Sequence, residues 1–216
     1  VGFLGNSVYQ CMRLGSQDDA SEYLLRALSH PCKFDTSCPF GTSLQNDLTE
    51  GKGKLVSIKK CMSCQAVSKT LDPGGGVLLL EMAEEPKPLL ELIKLYTKEE
   101  LIPEDVHCSR DDNPNACGGR HAATKKLRMS TLPNLVWIHL KRFKWGRSAD
   151  KIDHTVAFEE SIDFKPFMAE GDHLSDTVRH LFAIIVHEGT SCNTGHYFAY
   201  IQISRGIGSA SMMRVS

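Results

Sequence analysis

Residues 187–201 read H-E-G-T-S-C-N-T-G-H-Y-F-A-Y-I, and residues 132–143 read L-P-N-L-V-W-I-H-L-K-R-F. In the first stretch, Val186-His187-Glu188-Gly189 reads as a polar loop and Gly195-His196-Tyr197 as the opening of a strand. A glycine beside a histidine lets a substrate backbone approach the imidazole, and the start of a strand holds the ring rigidly, which suits a general base. A lone histidine is more often structural, so the weight of His196 as a base comes from its surroundings. Tyr197 to Ile203, Phe182 to Val186 and Leu135 to Leu140 are short runs rich in aromatic and branched residues, the pattern of strands.

Upstream the character is different. From Ser16 the apolar residues Ala20, Tyr23, Leu24, Ala27 and Leu28 form a helical stripe, and Ser16 with Asp19 three residues on has the form of a capping box. A second amphipathic helix is expected from Pro88 to about Lys98, with Leu89, Leu92, Ile93 and Tyr96 on one face. Between them Gly41 to Gly76, rich in glycine, lysine and cysteine, reads as loops and short ribbons. Helices first and strands after Ser130 favour an α+β fold over repeating βαβ units. There is no internal repeat, and Pro114 within D-D-N-P-N marks a polar turn rather than a linker.

With 216 residues and 41% hydrophobic composition, the chain can bury a real core. Lys plus Arg number 25 against 26 Asp plus Glu, so no global field favours nucleic acid or an anionic membrane, and a partner must be recognised locally. No apolar run has the length of a membrane span, and Val1-Gly2-Phe3-Leu4 lacks the basic flank and long apolar stretch of a secretory signal. The expectation is a soluble intracellular chain, in which the eight cysteines serve as metal ligands, nucleophiles or buried thiols rather than as a disulfide framework.

Among the cysteines, only Cys61-Met62-Ser63-Cys64 has a spacing that means something by itself. A Cys-x-x-Cys turn points two thiolates at one point, and zinc takes four sulfur ligands. Cys108 and Cys117 could close the set, although eight residues rather than two lie between them, and His107 and His121 are alternative ligands. The competing reading is a degenerate ribbon of reduced structural thiols. A zinc ribbon that binds nucleic acid is disfavoured by the neutral charge.

In order, the blocks L-G-N and S-V-Y-Q-C-M (Leu4 to Met12), Q-D-D-A-S-E-Y (Gln17 to Tyr23), C-M-S-C-Q-A-V-S (Cys61 to Ser68) and A-A-T-K-K (Ala122 to Lys126), with the Leu132 to Phe143 stretch, K-I at Lys151 and the His187 to Ile201 stretch, resemble the ubiquitin-specific protease family. The resemblance runs from end to end. It implies a papain-like cysteine protease fold of thumb, palm and fingers, forming a single domain over 1–216. Residues 1–40 correspond to a residual, truncated thumb, 41–130 mostly to the fingers and 131–216 mostly to the palm. It implies thiol-dependent hydrolysis of the (iso)peptide bond after ubiquitin's C-terminal glycine, with His196 as catalytic base between Gly195 and Tyr197 at the substrate. Cys61, Cys64, Cys108 and Cys117 correspond to the zinc ligands of the fingers, a structural cofactor. Gln17, Asp19 and Glu22 correspond to a helix along the channel for ubiquitin's basic tail, where the two carboxylates would pair with arginines, and Glu188 to Thr194 correspond to a loop that moves over that tail. The implied partners are ubiquitin and ubiquitinated proteins, with no nucleic acid and no membrane, in the cytoplasm and/or nucleus.

Three departures bear on activity. The family's nucleophile sits in N-x-G-N-T-C-Y-x-N-S-x-L-Q, at a helix N-terminus that helps lower the thiol pKa. Matching Ser7 to Met12 with the end of that motif leaves the T-C-Y-x-N block absent after Asn6, whereas matching Gly5 to Tyr9 with G-N-T-C-Y puts Val8 where the thiol belongs. The first match aligns more residues and makes Cys11 a core thiol. The family's oxyanion-stabilising Asn is also missing before Leu4, and Arg205 to Ser216 contains no Asp or Asn to orient the histidine. Two functions therefore stand side by side: a deubiquitinase, and a catalytically dead module that still binds ubiquitin. Cys192, four residues before His196, reads as an oxidisable loop thiol rather than a replacement nucleophile.

Overall fold

The computed structural model describes residues 54–72, 77–143, 151–170, 176–191, 194–206 and 209–215. The helix expected from Ser16, together with Gln17, Asp19 and Glu22, Cys11 and Cys192, lies outside the described residues. Strands β1 (Leu55–Cys61), β2 (Val67–Asp72), β4 (Glu100–His107) and β5 (Arg120–Met129) form one antiparallel sheet in the order β2-β1-β5-β4. Strands β3 (Val77–Glu81) and β6 (Trp137–Lys141) pair in parallel, β7 (Ser161–Asp163) pairs with β8 (Val178–His180), and β9 (Ala183–Ser191), β10 (Thr194–Gly206) and β11 (Ser209–Val215) form a second antiparallel sheet. The α+β expectation stands, but the order of elements differs: five strands precede Ser130. The Gly41 to Gly76 stretch contains β1 and β2, whose lysines mask the β signal because Lys is depleted in strands and here sits on the wet positions of a two-sided ribbon.

Helix α1 (Leu89–Tyr96) lies inside the expected span and packs on β3. Pro88 precedes it without a side-chain cap, its missing N–H being one of the donors a helix start leaves unpaired. Leu92 and Ile93 are buried one turn apart from Leu89 and Tyr96, and Thr97 ends the helix by turning its hydroxyl onto the Ile93 carbonyl at 2.9 Å. The core lies where β1, β3, α1 and β5 meet 164–168: Leu55, Leu78, Leu80, Leu92, Ile93 and Met129 pack with Phe164, Phe167 and Met168, the two phenylalanine rings edge to face at 6.3 Å. Arg179 ties β8 to the Leu132-Pro133-Asn134 segment by donating to the Pro133 carbonyl at 2.9 Å. Among the described residues no helix is long and apolar enough to cross a membrane.

Candidate metal centre and candidate active-site strand

β1 ends in a tight knuckle. Cys61 N–H donates to the Ala66 carbonyl at 2.9 Å, and the Cys61 carbonyl accepts from Gln65 N–H at 3.0 Å. Gln65 closes the turn with φ 63°, a left-handed conformation that normally costs a non-glycine residue, and its side-chain amide steadies it by donating to the Met62 carbonyl at 3.0 Å. Met62 N–H reaches the Ala122 carbonyl at 3.0 Å, anchoring the knuckle to β5.

The second knuckle joins β4 to β5. Cys108 N–H donates to the Gly119 carbonyl at 2.8 Å and Gly118 N–H to the Cys108 carbonyl at 3.1 Å, with Gly118 at φ 77° where a glycine is favoured. The eight residues between Cys108 and Cys117 do not separate the two thiols, because the excursion is pinned by its own polar side chains. Ser109 Oγ accepts from Asp111 N–H at 3.1 Å, Asn113 Oδ1 from Asn115 N–H at 2.9 Å, and Asn113 Nδ2 donates across to the Val67 carbonyl at 2.8 Å. Arg110 Nε closes it onto the Ala116 carbonyl at 3.2 Å.

The Sγ atoms of Cys61, Cys64, Cys108 and Cys117 consequently all lie within 4.8 Å of one another, with Cys64 and Cys108 at 3.6 Å. Tetrahedral coordination at Zn–S bonds of about 2.3 Å spaces sulfurs about 3.8 Å apart, so the four residues fit a thiophilic metal ion. The alternative ligands His107 and His121 are not in the cluster. Backbone N–H groups, that of Ala66 above all, with further help from the Cys117 N–H and the neighbouring thiols, pull the Cys64 thiol down to about 6, while burial pushes Cys108 up to about 12. The two neighbouring sulfurs are shifted in opposite directions, and a bound dication would favour the thiolate form of both.

The second site is the β9–β10 hairpin. The segment read as a polar loop, Val186 to Gly189, is strand: β9 runs from Ala183 to Ser191, and β10 begins at Thr194. His196 stands opposite Glu188 and Tyr197 opposite His187, just past a register irregularity between Thr194 and His196. Bulges of this kind re-aim a side chain, and His196 is exposed. Gly195 is required by close approach: a Cβ there would run into the His187 imidazole and come within 2.6 Å of the Glu188 carbonyl oxygen. The His187 ring packs against Tyr197 at 4.8 Å and edge-on to Phe143 at 6.4 Å, so Gly195, His196 and Tyr197 are set against a fixed neighbour.

Lys151 has a role in this hairpin that its place in the K-I pair does not signal. It is buried to a side-chain exposure of 10%, and its ammonium donates to the His187 carbonyl at 3.1 Å and the Gly189 carbonyl at 2.6 Å. A lysine followed by Ile152 and Asp153 carries no sequence signal of such a contact, since its partners are backbone atoms distant in the chain.

These two sites sit in a chain whose residues 5–207 match the family model described as ubiquitin carboxyl-terminal hydrolase. Ubiquitin carboxyl-terminal hydrolase 23 of Arabidopsis thaliana is 32% identical over 200 residues, covering 88% of this chain and 22% of that protein. Human ubiquitin carboxyl-terminal hydrolase 17-like protein 13 is 30% identical over 208 residues, covering 89% and 36%. Among solved structures, a SAGA DUB module (Ubp8/Sgf11/Sus1/Sgf73) bound to monoubiquitin superposes with a TM-score of 0.69 at 25% identity, covering 92% of this chain and 45% of that one. The chain thus spans less than half the length of these relatives. A match running from Gly5 past the His196 strand, with four cysteines that could hold a metal ion converging in between, leaves one assignment: this chain belongs to the ubiquitin carboxyl-terminal hydrolase family.

Proposed function

We propose that this chain is part of a thiol-dependent deubiquitinase whose reaction is hydrolysis of the (iso)peptide bond after ubiquitin's C-terminal glycine. The observation that carries the reading is the placement of His196 just past a strand irregularity, between Gly195 and Tyr197, within the family match. In that reaction a cysteine thiolate attacks the carbonyl carbon, a thioester forms, and the imidazole of His196 passes a proton to the departing amine before water releases the product. Glycine at 195 lets the backbone beside His196 lie directly against the His187 ring and the Glu188 carbonyl, and Tyr197 packs on the same ring, so the strand that carries His196 is held in place.

In this reading the chain divides into a thumb remainder (1–40), fingers (41–130) that include the β2-β1-β5-β4 sheet, and a palm (131–216) that includes the β9-β10-β11 sheet. Thumb truncation is part of this reading. Cys61, Cys64, Cys108 and Cys117 would hold zinc, a structural cross-link of the fingers that takes no part in the reaction. Gln17, Asp19 and Glu22 contact ubiquitin's basic tail, so the partners are ubiquitin and ubiquitinated proteins, met inside the cell in the cytoplasm and/or nucleus.

A second reading has a specific observation behind it. The T-C-Y-x-N block is absent between Asn6 and Ser7, and catalytic groups that act as a unit lose most of their effect when one is missing. The 216 residues as written then bind ubiquitin without cleaving it. Incubation with ubiquitin bearing a fluorogenic C-terminal amide, beside a binding titration with ubiquitin itself, separates the readings. Cleavage abolished by His196→Ala supports the enzyme, binding without cleavage supports the module, and neither binding nor cleavage rejects both.

A further inference from the structure

We infer that Lys151 is a positioning residue: by clasping the backbone of residues 187–189, its ammonium sets where His196 stands toward the ubiquitin tail, an inference that rests on the functional reading above. A lysine ammonium has three donors and no acceptor. Here one donor reaches the His187 carbonyl at 3.1 Å, one reaches the Gly189 carbonyl at 2.6 Å, and Asp153 Oδ1 lies at 3.5 Å. Taking a charge out of water is costly unless it is paired and hydrogen-bonded, so a side chain this buried stays where these three oxygens hold it.

The two carbonyls are two residues apart on β9, which among the described residues is an edge strand of its sheet, and alternate carbonyls leave a strand on the same side. Lys151 itself is fixed by a bridge to Phe143, and Ile152 N–H donates to the Arg142 carbonyl at 2.7 Å. Phe143 in turn meets the His187 ring edge-on at 6.4 Å. The ammonium and the ring contact therefore hold one stretch from two sides, by its backbone and by its side chain. Glu188, inside that stretch, is the register partner of His196, and Tyr197 is the partner of His187. A shift of 187–189 along the strand would carry His196 with it. Hydrogen-bonded backbone on an edge strand opens locally unless something closes that edge, and Lys151 closes it.

The experiment compares the full chain with Lys151→Met and Lys151→Arg, reading hydrogen exchange by peptide, the Cε1–Hε1 NMR correlation of His196, and ubiquitin affinity. In Lys151→Met, exchange over 183–200 should rise by about tenfold while 55–61 and 120–129 keep their protection. The His196 correlation should move and ubiquitin affinity should fall about tenfold, with Lys151→Arg recovering at least part of all three. Unchanged exchange over 183–200, or an equal rise in both sheets, overturns the inference, because the latter is what plain loss of stability would do. If the wild-type chain binds no ubiquitin, the functional reading fails and the exchange and His196 arms alone decide the role of Lys151. Should Lys151→Met not fold, the wild-type chain decides: a slowly exchanging Lys151 ammonium resonance coupled through its hydrogen bonds to the 187 and 189 carbonyl carbons supports the clasp, and a freely rotating, solvent-exchanging one overturns it.

Discussion

Cys64 Sγ lies 3.6 Å from Cys108 Sγ although 44 positions separate them in the chain, Cys64 closing the first knuckle and Cys108 opening the second. The contact exists because β1 and β4 both pair with β5, which brings their ends to the same edge of the sheet. Purified protein should therefore carry about one zinc per chain, and Cys64→Ser or Cys108→Ser should abolish it. Chelation should speed hydrogen exchange in 55–61 and 120–124 and leave 89–96 protected. Metal content near zero with a cooperative melt would make the ribbon a set of ordinary thiols.

Metal loading should also release protons, with a sign fixed by the two thiols. Zinc binds thiolates, so every ligand thiol still protonated loses its proton on coordination, Cys108, pushed up to about 12, among them. Apparent zinc affinity should rise with pH through neutrality. Calorimetry in buffers of different ionisation enthalpy measures the proton count, and a pH-independent affinity would count against thiolate ligation.

At Gly195 a methyl group has no room, with the Glu188 carbonyl oxygen 2.6 Å from where it would sit. Gly195→Ala should cost on the order of 1–3 kcal/mol, the usual penalty for forcing a group into a packed site, and should loosen 183–200 before the rest of the fold. Urea melts with peptide-resolved exchange check both. A loss below about 0.5 kcal/mol, the range of ordinary surface changes, would mean that the hairpin relaxes freely around His196.

Asp163 accepts from the Thr177 hydroxyl at 2.6 Å and from Lys165 N–H at 2.9 Å, and the hydroxyl first, then the N–H, holds its carboxyl below the usual carboxylate range. A carboxyl lowered on folding contributes stability above its unfolded pKa of about 3.9 and loses it as the pH falls through the lower folded value. Thr177→Val should flatten the acid limb of the stability curve below about pH 4 and leave it unchanged at neutrality relative to its own plateau. An identical acid limb in the variant would remove Asp163 from the account.

How far the sequence reaches is clear from these same residues. Cys61 with Cys64, and Gly195-His196-Tyr197, were legible because their chemistry depends on neighbours in the chain. α1 was legible from Leu89, Leu92, Ile93 and Tyr96 because one face of a helix is buried and repeats with the helical period. Val186 to Gly189 were misread as loop because their polarity belongs to an edge strand whose far side is closed by Lys151, a contact without periodicity. The Cys108–Cys117 pairing was uncertain because Ser109, Arg110 and Asn113 close the excursion through hydrogen bonds that composition does not encode.

The measurement that bears most directly on the family reading of this chain is a calorimetric titration of the folded, metal-loaded protein with ubiquitin and with ubiquitin lacking its last residues. If Gln17, Asp19 and Glu22 line the tail channel that ends at His196, intact ubiquitin binds and truncation weakens it by at least about tenfold, the effect of losing roughly one charge-assisted contact. Equal affinity for the two ubiquitins, or no binding of either, would contradict it.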